Sequence, residues 1–121
     1  MITTAACSLR ETKGVSILDF SGTITLGDGT ELVRHSIRDL IAKGRSAILL
    51  NLAQVDFLDS SGIATLVNSY TYAREHGARV KLLHLKANIH DLLQITKLNT
   101  LFDIFEDEAA AVASFQEKKK N

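Results

Sequence analysis

Ala47, Ile48, Leu49 and Leu50 follow one another without a polar break, and Leu52 comes directly after Asn51. A run with apolar side chains at both alternating positions suits a strand covered on both sides of its sheet, so the chain must build layers above and below it. Downstream the period changes. Ile63, Leu66, Val67, Tyr70 and Ala73 recur at helical spacing, so a buried strand from Ser46 to Leu52 is followed by a helix starting near Ser60.

The same change of period recurs along the chain. Val15 to Phe20, bounded by Gly14 and Ser21-Gly22, is a short β-type run, and Thr23-Ile24-Thr25-Leu26 is a second run directly after it. Together they predict an edge strand or hairpin. Gly27-Asp28-Gly29-Thr30 reads as a loop with a capping Asp or Thr, and Leu32, Val33, Ile37, Leu40 and Ile41 form a helical stripe that ends at Gly44. His76-Gly77 stops the central helix, and Val80 to Leu85 is the next strand. A helix from about Asn88 to Leu98 carries Ile89, Leu92, Leu93 and Thr96 on one side. Leu101, Phe102, Ile104 and Phe105 make a last strand-like piece, before a helix from Glu106 to Gln116 whose acidic start complements its dipole. Strands followed by α, β, α, β, α, β, α imply right-handed crossovers. The expected architecture is α/β, a mixed, mostly parallel sheet of about four to five strands with about four helices and an antiparallel or mixed N-terminal flank.

Size and charge narrow the function. With 121 residues the chain has the size of a single domain, 1–121, and Lys118–Asn121 reads as a frayed tail. Lys plus Arg and Asp plus Glu are 14 each, which removes the electrostatic case for a nucleic-acid partner. Cys7 is the only cysteine, so an internal disulfide and a thiol metal cluster are excluded and a reducing compartment fits. The N-terminus lacks a basic region followed by an apolar stretch, and no apolar segment approaches the roughly 20 residues of a spanning helix. The expectation is a cytoplasmic protein without membrane insertion.

The chemistry-bearing feature is Asp59-Ser60-Ser61-Gly62, between the central strand and its helix. There the first helical N–H groups are unpaired and the dipole is positive, so Ser60 or Ser61 can cap the helix and an anion is favoured. In open α/β sheets functional groups collect beyond the carboxyl ends of strands, which is where this turn falls, one short loop after the strand. Capping alone also explains an Asp and two Ser at a helix start.

Catalytic patterns are missing. The flanking glycines of a Gly-x-Ser-x-Gly elbow are absent, as are the P-loop and the dinucleotide Gly-x-Gly-x-x-Gly. His35, His76, His84 and His90 include no i, i+3 or i+4 pair, so neither a metal site nor a cofactor is expected. Tyr70 continues the core stripe while Tyr72 faces elsewhere, and Glu31, Arg34, Arg38 and Asp39 read as a solvated outer face.

The stretch from Ile48 to Ile63, ILLNLAQVDFLDSSGI, resembles the core of the STAS domain, the fold shared by anti-sigma factor antagonists and the cytoplasmic tails of sulphate transporters. Val15 to Gly22 resembles the early strand pair, Val80 to Leu85 the later strand, and Leu92 to Leu98 with Leu101-Phe102 the closing segment, so the resemblance covers essentially the whole chain. It implies a non-enzymatic anti-sigma factor antagonist. Unphosphorylated, such a protein sequesters an anti-sigma factor that is itself a serine kinase of the histidine-kinase-like ATPase type, and frees a sigma factor. Phosphorylation of the serine after the Asp blocks binding and a serine phosphatase resets the switch.

By residue-by-residue carry-over the acceptor is Ser60, or else Ser61. The partner surface comprises Asp59, Ser60, Ser61, Gly62, Thr25, Asp28 and Asn88. The sequence departs from the pattern at Ala64, where many members have a second Gly, and in a longer loop at Thr25–Gly29. Three alternatives remain: an adaptor subunit of an ABC-type phospholipid transport system, a component of a stress-signalling scaffold, and a serine-dependent enzyme needing His84 or His90 at Ser60. The last is not expected.

Overall fold

The computed structural model describes residues 4–116, so the tail expected at Lys118–Asn121 lies outside the described residues. The elements follow as β1 (Ala6–Thr12), β2 (Val15–Ile24), α1 (Asp28–Ala42), β3 (Ala47–Leu58), α2 (Ser60–Glu75), β4 (Arg79–Leu83), α3 (Ala87–Ile95), β5 (Ile104–Phe105) and α4 (Glu108–Gln116). A 3-10 turn, Leu98–Thr100, separates α3 from β5. The strands form one five-stranded sheet in the order β1-β2-β3-β4-β5, with β1 antiparallel to β2 and the other neighbours parallel. The mixed α/β architecture is therefore the one expected. One edge collects the carboxyl ends of β2 to β5.

Alternation along the central strands sorts the core into two layers. Leu18, Phe20, Ile48, Leu50 and Leu82 face α1, α2 and α3, whose buried stripes include Val33, Ile37 and Leu40 on α1 and Leu66 and Ala73 on α2. Val15, Ile17, Ala47, Leu49 and Leu83 face the other way, onto Ala111, Val112 and Phe115 of α4. Lys81 joins this second layer: its Nζ donates to Ser114 Oγ at 2.9 Å and lies 4.6 Å from the Phe115 ring centre. Helices on both sides explain the unbroken apolar run of β3.

Several boundaries differ from the sequence reading. β1 was not anticipated, because Ala6–Thr12 is exposed or half-exposed throughout and offers no apolar alternation. It forms the hairpin with β2 through Lys13 and Gly14, both at positive φ, as a tight two-residue turn requires. The expected break at Ser21-Gly22 is instead a bulged stretch of one continuous strand: the pairing with β3 shifts between Asp19 and Ser21 and again after Gly22, whose φ is +89. β3 runs to Leu58 rather than ending at Leu52, since Ser21, Gly22, Thr23 and Ile24 continue to pair with it. The last strand keeps only Ile104–Phe105. Phe102 leaves it to pack edge-on against Tyr70 in the core, with 5.4 Å between ring centres. α4 begins at Glu108, and Asp107 caps it by accepting the Ala110 N–H at 2.8 Å.

A charged network fastens β1, β2 and α4. The Arg10 guanidinium donates to Asp19 at 2.6 and 2.9 Å and to Glu108 at 2.9 and 3.1 Å, and Asn51 Nδ2 donates to Asp19 Oδ1 at 2.7 Å. The Arg10 bonds hold both carboxyls below the usual carboxylate range. A folded-state pKa below the unfolded value stabilises above the unfolded pKa and loses that contribution as pH falls through the folded one. Thermal melts of wild type and Arg10→Gln should accordingly differ most near neutral pH, wild type being higher. The gap should shrink once pH drops below about 4, the ordinary carboxylate range. A gap independent of pH would rule out the linkage.

Candidate functional site

The strand-to-helix turn contains no loop. Leu58 closes β3, Asp59 keeps an extended backbone (φ −92, ψ −175), and α2 starts at Ser60. Asp59 rather than Ser60 or Ser61 is the N-cap: its Oδ1 accepts the N–H of Gly62, the third helical residue, at 2.7 Å, the donor that a cap of this kind satisfies. The two serines are then the first two helical residues, with hydroxyls not needed for capping. Ser60 is exposed and Ser61 half-buried.

The second Asp59 oxygen reaches across the sheet edge. Oδ2 accepts the Leu26 N–H at 3.1 Å, so one carboxylate joins the start of α2 to the segment between β2 and α1. These backbone donors, Gly62 first and Leu26 second, hold the Asp59 carboxyl below its ordinary range.

Glycines make the approach possible. A Cβ on Gly62 would lie 2.3 Å from the Ile24 carbonyl oxygen, and one on Gly29 would lie 2.9 Å from Ile24 Cα and 2.8 Å from the Thr23 carbonyl oxygen. The last peptide of β2 is thus contacted from both helices at positions where only glycine fits.

The expected partner residues are placed as follows. Thr25 O accepts the Thr30 N–H at 3.2 Å. Asp28 is already the first residue of α1, so the expected 25–30 loop is shorter than supposed, and Gly27 at φ +109 takes the N-cap position. Thr30 closes that turn from inside, its Oγ1 accepting the Gly27 N–H at 3.3 Å and donating to the Gly27 O at 3.1 Å. Asn88 is engaged elsewhere on the same edge: its Nδ2 donates to the Asp56 backbone O at 2.9 Å, beside an ion pair between Lys86 and the Asp56 carboxylate. Asp59, Gly62, Thr25 and Asp28 therefore gather around the exit of β2 and the start of α2, while Asn88 braces the end of β3.

Two exposed apolar side chains on this edge were not foreseen. Leu26 is 78% exposed and Phe57 51% exposed, although the Leu26 backbone is held by Asp59. A lone apolar residue between Thr25 and Gly27 was the available signal for Leu26. Phe57, between Asp56 and Leu58, was readable only once β3 was extended. Among the described residues no group of three or more His, Cys, Asp or Glu side chains is placed to hold a metal.

Asp59→Asn should keep one of the two bonds and lower the melting temperature less than Asp59→Ala, because its single amide oxygen accepts from Gly62 or Leu26 but not both. Asp59→Ala should lower the melting temperature and speed hydrogen exchange at both the Gly62 and Leu26 amides. Unchanged Leu26 exchange would show that the bridge is not formed in solution. Gly62→Ala should cost about 1–3 kcal/mol in chemical denaturation through the clash at Ile24, far more than an exposed helical Gly→Ala.

Comparison with known proteins gives a consistent picture. A family model described as the STAS domain matches residues 6–111. The anti-sigma F factor antagonist of Paenibacillus polymyxa is 24% identical over 105 residues, covering 86% of this chain and 89% of the relative. An anti-sigma factor antagonist from Mycobacterium paratuberculosis superimposes with a TM-score of 0.82 at 18% identity, covering 94% of this chain and 96% of that one. The Bacillus cell fate determinant SpoIIAA in its phosphorylated form gives 0.70 at 20% identity, with 91% and 99% covered.

Proposed function

The chain belongs to the STAS domain family, and we propose that it is an anti-sigma factor antagonist controlled by phosphorylation of Ser60. In its unphosphorylated form it binds an anti-sigma factor that is a serine kinase of the histidine-kinase-like ATPase type and thereby frees a sigma factor; a serine phosphatase restores it. The protein is substrate and ligand in this cycle, not a catalyst, and acts in the cytoplasm. Its similarity to the Paenibacillus antagonist over most of both chains supports this reading.

The observation that carries the proposal is the placement of Ser60. Ser60 is exposed as the first helical residue, next to a carboxylate that accepts two backbone N–H groups, on an edge where Leu26 and Phe57 stand out of the fold. Exposure lets a kinase reach the hydroxyl. Phosphorylation adds about −1.5 to −2 charge, and Asp59 already takes the Gly62 N–H, one of the donors at this helix end. The new anion would stand beside the like charge of Asp59. A partner covering Leu26 and Phe57 would have to bury that charge pair, whereas Ser60 itself costs little to cover.

The test is capture from a lysate of the native organism by unphosphorylated wild type beside Ser60→Asp and Ser60→Ala, with captured proteins identified by mass spectrometry. A serine kinase of the ATPase type should be held by wild type and Ser60→Ala and lost with Ser60→Asp. With purified partner the affinity should fall by about 100-fold or more, as like-charge juxtaposition at an interface predicts. A transport ATPase held equally by all three forms would replace this reading with the adaptor one.

A further inference from the structure

β1 ends the strand order on one side of the sheet, and among the described residues no strand pairs with its outer edge. Its inner edge pairs with β2 in unbroken register, from Ala6↔Ser21 to Thr12↔Val15. Lys13 and Gly14 form a two-residue turn with φ of +49 and +79, which makes Thr12 and Val15 a pair that exchanges both backbone hydrogen bonds. Counting back by twos, Arg10, Ser8 and Ala6 bond to β2 in the same way. Cys7, Leu9 and Glu11 therefore turn their backbone N–H and C=O groups outward, along the open edge.

The devices by which edge strands resist further pairing are missing or already engaged. β1 has seven residues, no proline and no bulge. Its two charges are turned back into the fold. Arg10 is taken by Asp19 and Glu108, while Glu11 accepts from Ser16 Oγ at 2.9 Å and pairs with Arg45 at 3.7 Å. At the centre of the strand Leu9 is half exposed. The opposite edge of the sheet is blunt, because β5 has only two residues, Ile104–Phe105. Pairing of β1 with β5 from copy to copy, which would run on as a filament, has little backbone to use. Pairing of β1 with β1 closes after two copies.

We propose that the outer edge of β1 is a homodimer interface, in which β1 of a second copy pairs antiparallel to it about a two-fold axis at Leu9. The register follows from the strand itself. Centred on Leu9, the pairing uses all seven residues: Leu9 faces its own counterpart, Ser8 faces Arg10, Cys7 faces Glu11 and Ala6 faces Thr12 of the second copy. The outward groups of Cys7, Leu9 and Glu11 then bond to one another across the axis, and no like charges stand opposite. Centring on Arg10 or Glu11 would oppose two like charges, and centring on Cys7 or Ser8 would leave part of β1 opposite residues before Ala6, outside the strand. Leu9 shares a face with its neighbour Leu18, on the α1 side, so the two leucines cover each other at the rim of the major layer. One sheet of ten strands results, five from each copy, with the two Ser60 turns at its opposite ends.

The experiment uses the full chain in reducing buffer, so that Cys7 cannot link two copies. Sedimentation velocity up to about 1 mM protein should show a monomer–dimer equilibrium, half dimeric at about 100 μM or below, as suits an interface at the small end of the specific range. Over the same concentrations hydrogen exchange should slow at the Cys7, Leu9 and Glu11 amides and stay constant at Ser8, Arg10 and Thr12, which β2 already protects. Leu9→Lys and Leu9→Glu should each weaken dimerisation by about fivefold or more, through lost apolar cover and like charges at the axis. Mixed in equal amounts, the two variants should associate again, because Lys then faces Glu. The amide spectrum of each variant reports that it is folded. A monomer throughout the range, a dimer indifferent to both substitutions, a mixture no better than its components, or protection without the alternation would overturn the proposal. Capture by wild type against Ser60→Asp is independent of every one of these outcomes.

Discussion

The end of β2 is the point on which the rest of the structure closes. The peptide of Ile24 is approached by Gly62 from α2 and by Gly29 from α1, each so closely that a single Cβ would overlap a backbone atom. Both helices start at the same edge, and their first turns can approach the sheet only where a side chain is missing. Ile24 itself is fully buried, pairs with Leu58 at the last rung of β3, and so fixes the level at which β3 can end and α2 begin. The turn that carries Ser60 is set by backbone sterics before any polar contact is made.

The polar contacts then convert proximity into coupling. Asp59 satisfies a donor of α2 and a donor of the segment entering α1 with the two oxygens of one carboxylate. Elsewhere the cap of a helix is a local matter. Here it also holds the Leu26 backbone in position while the Leu26 side chain stands in solvent. The brace of Lys86 and Asn88 on Asp56 plays the corresponding part for the last stretch of β3.

How much could be read from the chain follows from which forces leave a pattern. The alternation of apolar runs with helical stripes placed α1, α2, β4 and the body of β3, because burial on a helix face or on both sides of a strand repeats with a period. β1 leaves no such trace: its pairing is a matter of backbone hydrogen bonds, and its side chains are mostly in water. The glycines at 29 and 62 were visible, yet their reason was not, since close approach involves Ile24, distant in sequence. Asp59 was read correctly as belonging to the turn, but the cap was given to the serines, because propensity does not distinguish neighbouring Asp and Ser. Arg38 was assigned to a solvated face; only the crossing of α1 on α2 shows that it lies over Tyr72.

The two hydrophobic layers have unequal histories along the chain. The larger one, under α1, α2 and α3, draws on elements that are contiguous from β2 to Phe102. The smaller joins Val15 and Ile17, near the start of β2, to Ala111 and Phe115 in the final helix, and Gln116 Nε2 donates to the Lys13 carbonyl at 2.7 Å. Contacts of such wide sequence separation carry the largest loop-closure cost. During synthesis the major layer can therefore assemble while α4 is still emerging, and the last helix arrives as a clasp on a sheet already formed. Release of α4 would uncover Val15, Ile17, Ala47, Leu49 and Leu83 together, all on the side of the sheet opposite the layer on which the Ser60 edge depends.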